Sequence, residues 1–193
     1  MLALMGKASS GKDTVKDILI KKYGFQSITT FTTRPMRDGE IPDVTYHYIS
    51  DEEFAKKIDE GFFAEWKKYI VDGEEWYYGT SKESLQTATD DSVVILTPDG
   101  VRDIKKENIN CVVIYLYSNI NTIRKRLQAR NDANDKAEER IRRDFLDFKN
   151  AELIADRIIY NNLEMNIENV ANDIVFQYRR LLNKWVKTDW QFI

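Results

Sequence analysis

Chemistry first shows in this chain at Gly6-Lys7-Ala8-Ser9-Ser10-Gly11-Lys12-Asp13, followed by Thr14. Two glycines five apart with a lysine after the second is the spacing of a phosphate-gripping loop. Successive backbone N–H groups in such a loop point inward and make a concave anion site. The helix opening near Lys12 adds the positive end of its dipole. Gly6 and Gly11 permit the tight backbone path, and Lys12 reaches terminal phosphates as a mobile point charge. The next position usually holds a hydroxyl that ligates Mg²⁺; here it is Asp13. A carboxylate can hold Mg²⁺ directly or through water. It can also repel phosphates, or simply favour the helix N-terminus by its charge. Asp13 and Thr14 are therefore the candidate metal ligands, and Gly6 through Thr14 the candidate triphosphate-binding segment.

A second cluster follows in Thr32-Thr33-Arg34-Pro35-Met36-Arg37-Asp38-Gly39-Glu40, with Tyr46 beyond it. Two arginines three apart, beside hydroxyls and a tyrosine, can clamp a phosphate from several sides, and Glu40 can orient one of them. Alone, this would read as a solvated charged loop. In a chain with a phosphate-binding loop it reads as a second anion site.

These residues need a frame. Apolar runs at Met1–Met5, Ser92–Thr97, Asn110–Leu116 and Arg157–Tyr160 read as strands. Helical patterns follow at Lys12–Lys22, Asp99–Lys106, Ile120–Arg130 and Glu164–Trp185. The last has an apolar face of Ile167, Val170, Ile174, Tyr178, Leu181, Leu182 and Trp185. Such alternation predicts an α/β fold: a parallel sheet with helices on both faces, three layers in all, and ligands beyond the carboxyl ends of the strands. The stretch 29–84 breaks the alternation and carries two of the three prolines. Within it Tyr46–Ile49 alternates like a strand and Asp51–Glu60 resembles a capped helix, so it reads as an inserted lobe. The charged segment 131–152 is a second departure. The expected organisation is one domain over 1–193, with a core of 1–28 and 85–193, a lobe of about 29–84 and a lid of about 131–152.

Composition limits the classes. The chain has 193 residues, 42% of them apolar, and a net charge of −3, so no basic footprint suggests nucleic acid. One cysteine, Cys111, excludes an intramolecular disulfide and a cysteine-based zinc cluster, and reads as a buried strand thiol. One histidine, His47, leaves no multi-histidine metal site. No apolar stretch reaches the ~20 residues of a membrane helix, and no cleavable leader pattern opens the chain. The expectation is a cytoplasmic protein, monomer or homodimer, without nucleic-acid or membrane partners.

The second cluster carries a resemblance. Thr32-Thr33-Arg34, Arg37, Gly39-Glu40 and Tyr46 match a hallmark of the guanylate kinase family, P-loop nucleoside monophosphate kinases. Glu65-Trp66 and Tyr78-Gly79-Thr80 match a second family signature. The likeness runs from the phosphate loop to the strand near Asn161. It implies a P-loop NTPase fold with an inserted NMP-binding lobe and a helical lid, and transfer of the γ-phosphate of ATP to GMP or dGMP with Mg²⁺. It further implies that Arg34, Arg37, Tyr46 and Tyr78 hold the acceptor phosphate. Thr30, Glu65, Thr80 and Asp99 would read guanine. The resemblance also implies lid arginines, which fall at Arg130 and Arg140, with Arg126, Arg142 and Arg143 as neighbours in the same charged segment. Guanine's chemistry suits this set: N1–H and N2–H donate to a carboxylate at Glu65, and O6 accepts from a hydroxyl at Thr80. Adenine, with an acceptor at N1, would leave Glu65 unpaired.

The chain departs from the family in three places: Asp13, Thr97-Pro98-Asp99 where the family has Asp-x-Asp, and a longer segment between Tyr69 and Tyr78. Two alternatives stand beside phosphorylation of (d)GMP. One is a kinase of the same fold acting on another nucleotide or a sugar phosphate, which would not need Thr30, Glu65 and Thr80. The other is an inactive binding module for phosphopeptides, which would not need Lys12.

Overall fold

The computed structural model describes residues 1–71, 73–129 and 134–189, and the side chains among them other than those of 71, 134–136 and 184–189. Five parallel strands form the central sheet in the order β2-β7-β1-β8-β9: β1 (Leu2–Met5), β2 (Gln26–Ser27), β7 (Ser92–Leu96), β8 (Val112–Tyr117) and β9 (Arg157–Tyr160). The central strands are apolar at consecutive positions because both sheet faces are covered. Alternation then sorts them. Leu2, Leu4, Val93, Val112, Ile114 and Leu116 pack on one side with Val15 and Leu19 of α1 (Lys12–Tyr23) and Val170, Ile174 and Tyr178 of α7 (Ile167–Asp189). Ala3, Met5, Val94, Leu96, Val113 and Tyr115 pack on the other with Val101 and Ile104 of α4 (Pro98–Lys106). Cys111 is buried in this second cluster at the foot of β8, and burial pushes its thiol up to about 11.

The expected apolar face of the last helix is the one buried against the sheet, except that Trp185 lies outside the described side chains. Its start differs from the expectation. The helix begins at Ile167 rather than Glu164, because the Asn166 side chain accepts from the N–H groups of Glu168 (2.8 Å) and Asn169 (3.2 Å). Such a side-chain acceptor fixes a helix start that hydrophobic period alone does not locate.

A second sheet lies within the stretch that breaks the alternation. Its order is β4-β3-β6-β5, with β3 (Phe31–Thr32), β4 (His47–Tyr48), β5 (Phe63–Val71) and β6 (Glu74–Ser81). The long β5/β6 hairpin takes up the longer segment between Tyr69 and Tyr78. Helix α2 (Asp51–Asp59), capped by Ser50 accepting from Glu53 N–H, covers one face through the fully buried Phe54. Phe54 stacks on Phe63 at 4.4 Å. Gly79 is needed here for close approach, since a Cβ there would meet Phe63 at 2.9 Å and Phe54 at 3.0 Å.

Three more helices complete the order: α3 (Lys82–Gln86), α5 (Ile120–Ala129) and α6 (Asn134–Asp147). Helix α6 falls in the segment expected as a lid. An Arg124–Glu138 ion pair at 2.7 Å links it to α5, and Ala137 packs on Ile123 and Leu127. No helix among the described residues is long and apolar enough to cross a membrane.

Candidate active site

The loop after β1 turns as its glycines demand. A Cβ on Gly6 would lie 2.5 Å from Ser10 Oγ and 3.0 Å from the Leu116 carbonyl. Gly11 has φ +93°, and a Cβ there would lie 2.5 Å from Asn161 Nδ2. The loop's carbonyls are taken up from behind. Ser10 O accepts from Asn161 Nδ2 (2.8 Å), Arg126 Nη1 (3.2 Å) and Ser118 Oγ (3.3 Å), and Ser9 O accepts from Arg126 Nη1 (3.2 Å). Arg126 therefore anchors the loop, a role its place among the charged-helix arginines did not suggest. The hydroxyls of Ser9 and Ser10 are buried without a hydrogen-bond partner. The Ala8 N–H donates to Asp144 Oδ2 of α6 at 2.6 Å.

Gly6, Ala8, Lys12 and Asp13 line one cavity of about 590 Å³; Lys7, Ser9, Ser10 and Gly11 build the loop behind its wall. Asp13 lies 3.8 Å from Lys12 Nζ and is largely exposed to the cavity mouth. Its hard carboxylate oxygens suit Mg²⁺, which binds one or two carboxylates together with phosphate oxygens. Among the described residues no cluster of three acidic, histidine or cysteine side chains forms a metal cage. Thr14 is exposed and does not line the cavity. Consecutive helical residues point about 100° apart, so only Asp13 of the pair faces inward; the expectation of a metal contact at Thr14 is corrected on that ground.

The opposite wall carries the arginine cluster. Arg34 is 4% exposed, pairs with Glu40 (Nη2 to Oε1, 2.7 Å), and donates to the Pro35 carbonyl (2.6 Å). Its guanidinium lies 5.5 Å from the centre of the Tyr46 ring. Burial is the largest influence and works against its charge, but the bonds and negative charge of Glu40 and Tyr78 together outweigh it and raise its pKa. Burial likewise opposes the Glu40 carboxylate, yet bonds from Arg34, the Arg37 N–H (2.7 Å) and Tyr48 OH (2.8 Å) hold it down at about 2. Glu40 is thus the permanent anion that orients Arg34. The exposed Arg37 lines the cavity beside Tyr46 and Tyr78, whose rings meet edge-on at 5.9 Å. Burial pushes the Tyr46 hydroxyl up to about 12, so it stays a donor.

Between the two walls lies a deeper pocket set by strand register. A β-bulge between Phe63 and Glu65 places Glu65 opposite Thr80. As cross-strand partners their side chains meet, and Thr80 Oγ1 donates to Glu65 Oε1 at 2.5 Å. Burial drives Glu65 up to about 7, against the Thr80 bond. Gly100 of α4 allows the approach: a Cβ there would lie 2.8 Å from Glu65 Oε2. Thr30 lines the same cavity. Thr80 is fully buried behind Glu65 and does not itself line the wall.

Asp99 is a correction. It does not line this cavity; its carboxylate bonds Arg102 (2.7 Å) and the Lys67 ammonium (3.3 Å) beside it. The strand ends at Leu96, Thr97 caps α4 by accepting from Gly100 N–H (3.1 Å), and Asp99 falls in the helix's first turn. The cavity wall there is Ile95 and Thr97.

Several lining residues had no motif to mark them. Lys67 and Tyr69 share a face of β5 with Glu65 at strand period two. That alternation would have revealed them had the segment been read as a strand. Asp144 and Asp147 of α6 also line the cavity, and Asp147 pairs with Lys67 at 2.8 Å. Arg140, half-buried on α6, does not line it. Arg130 lies outside the described residues.

Comparisons with known proteins point to one family. The family model for guanylate kinase matches residues 1–176. A guanylate kinase of Bdellovibrio bacteriovorus is 31% identical over 136 residues, covering 68% of this chain and 71% of that protein. One of Helicobacter pylori is 29% identical over 201 residues, covering 96% of this chain and 95% of the other. A crystal structure of guanylate kinase from Anaplasma phagocytophilum superposes with a TM-score of 0.62 at 19% identity, over 93% of this chain and 85% of that one, which shows a shared fold.

Proposed function

The chain belongs to the guanylate kinase family, and from that membership we propose its reaction: transfer of the γ-phosphate of ATP to GMP or dGMP. The observation that carries the proposal is one cavity joining Lys12 and Asp13 of the phosphate loop to Arg34, Arg37, Tyr46, Tyr78 and Glu65. Loop amides and Lys12 grip the donor phosphates. Arg34, preset by Glu40, and Arg37 with the two tyrosine hydroxyls bind the acceptor phosphate. Glu65, steadied by Thr80, accepts from guanine N1–H and N2–H.

The acceptor is already an anion, so neither a covalent intermediate nor a general base is required. The side chains align two phosphates and spread positive charge over the moving group. Asp13 would hold Mg²⁺, which would supply positive charge beside the donor phosphates. Helix α6 serves as the lid, with Arg140 and, by the family resemblance, Arg130 the arginines that closure would bring to the transferring group. Donor and acceptor are nucleotides of the cytoplasm, which is where we place the protein.

A coupled ADP-release assay with ATP·Mg²⁺ against ribo- and deoxyribonucleoside monophosphates tests the reading. Release dependent on GMP or dGMP, and weak with AMP, supports it. ADP release indifferent to the acceptor overturns it.

A further inference from the structure

The last turn of α6 carries Asp144 and Asp147 and no basic residue. Two carboxylates there oppose the helix dipole, whose C-terminal end is itself negative. Each is held by a partner across the cavity. Asp144 Oδ2 accepts from the Ala8 N–H of the phosphate loop at 2.6 Å, and Asp147 Oδ1 takes Lys67 Nζ of β5 at 2.8 Å. Arg143 adds a bond from its Nη1 to the Ile70 carbonyl at 3.1 Å. The helix end thus bridges the phosphate loop and the β5/β6 hairpin.

From this geometry we propose that Asp144 is a phosphate surrogate. Its carboxylate sits on a loop amide that a triphosphate oxygen would use, and the Asp147–Lys67 and Arg143–Ile70 contacts hold it there. The inference rests on the donor reading above. An anion and the triphosphate cannot share one N–H donor, and beside Lys12 the two negative charges repel. ATP must therefore lift the end of α6 to enter. Its observed affinity is the intrinsic affinity reduced by the fraction of molecules already unlatched. As the helix lifts, Lys67 loses Asp147 and keeps only its longer contact with Asp99 at 3.3 Å, so donor binding loosens one cation on the acceptor side of the cavity.

Calorimetric titration of the full chain with the β,γ-imido analogue of ATP and Mg²⁺ tests this, with thermal melts to show that each variant is folded. Asp144→Ala is expected to tighten binding about 10-fold, the scale of one charge-assisted hydrogen bond removed from competition. Asp144→Asn, which keeps an acceptor but loses the charge, is expected to tighten it less. Lys67→Met separates the latch from simple electrostatics. Removing a cation from the cavity should weaken binding of an anion, whereas loosening the latch should tighten it, by roughly 3-fold. Folded Asp144→Ala protein that binds no tighter than wild type, or Lys67→Met protein that binds more weakly, overturns the latch and leaves the donor reading standing. A wild-type chain that binds no analogue and releases no ADP removes the donor reading, and the latch with it.

Discussion

The two halves of the cavity are made of different material. The phosphate-loop half is backbone: amides and one lysine from residues contiguous in sequence, with the loop's carbonyls tied back to Asn161, Ser118 and Arg126. The other half is side chain. Arg34, Tyr46, Glu65 and Tyr78 come from separate strands and turns; Arg34 is oriented by Glu40, Glu65 by its cross-strand partner Thr80, and the two tyrosine rings by each other. Anything anionic of the right size suits a backbone cradle. A pocket of oriented side chains discriminates, because the wrong ligand leaves buried polar groups unpaired. In our reading the first half supplies force and the second supplies choice.

The sharpest test of that division is Lys12→Ala. It should lower turnover by on the order of 10²–10³-fold or more, the scale for losing one charge-stabilising group at a transferring centre. The melting temperature should hardly move, since its nearby carboxylate, Asp13, is largely exposed. Turnover retained in this variant would mean that the loop does not drive transfer.

Glu65→Gln probes the choosing half. The specificity constant for GMP should fall roughly 10- to 100-fold, as expected when a buried acceptor is replaced by a group that cannot pair with both guanine donors. The preference for GMP over AMP should shrink with it. Unchanged nucleotide preference would assign base reading elsewhere.

A pH series sharpens the same residue. Glu65 ionises near 7 in the folded chain against an ordinary 4.5. Between those values the folded protein holds a proton that the unfolded chain has lost. Glu65 therefore makes stability fall as pH rises from 4.5 to 7, and adds no further change above. Melting curves of wild type and Glu65→Gln should converge at the acidic end and separate toward neutrality, the wild type being the one that loses stability. Ligand selection should run the other way. The preference for GMP narrows below pH 7, where a protonated Glu65 no longer demands two donors. A preference independent of pH would show that Glu65 stays ionised in the complex.

The smallest expected effect is at Asp99. Asp99→Ala should leave acceptor preference unchanged and stability within about 0.5 kcal/mol, as for exposed sites in general. A loss of guanine preference there would bring the residue back into the pocket.

The phosphate loop and the parallel sheet were legible in the sequence because both are written in contiguous residues. Gly6, Gly11 and Lys12 form a local pattern, and strands buried on both faces read as unbroken apolar runs. The arginine cluster reads as a second anion site from its residue types, whereas the later signature of Glu65-Trp66 and Tyr78-Gly79-Thr80 points to the other half only by resemblance. What failed did so where position depends on something distant. Asp99 was placed by an approximate motif, yet the end of β7 and the cap at Thr97 leave it off the cavity wall. Thr14 was placed by proximity to Asp13, and helical rotation takes it out of reach. Lys67 and Tyr69 carry no local motif, because their meaning depends on the β5/β6 register. Asp144 lies far along the chain from the amide it caps. Sequence by itself determined the elements that local spacing specifies, and the loop whose backbone makes its own site. Only tertiary structure decided which side chains share the cavity, because strand pairing, helix rotation and the docking of α6 are set by packing between segments.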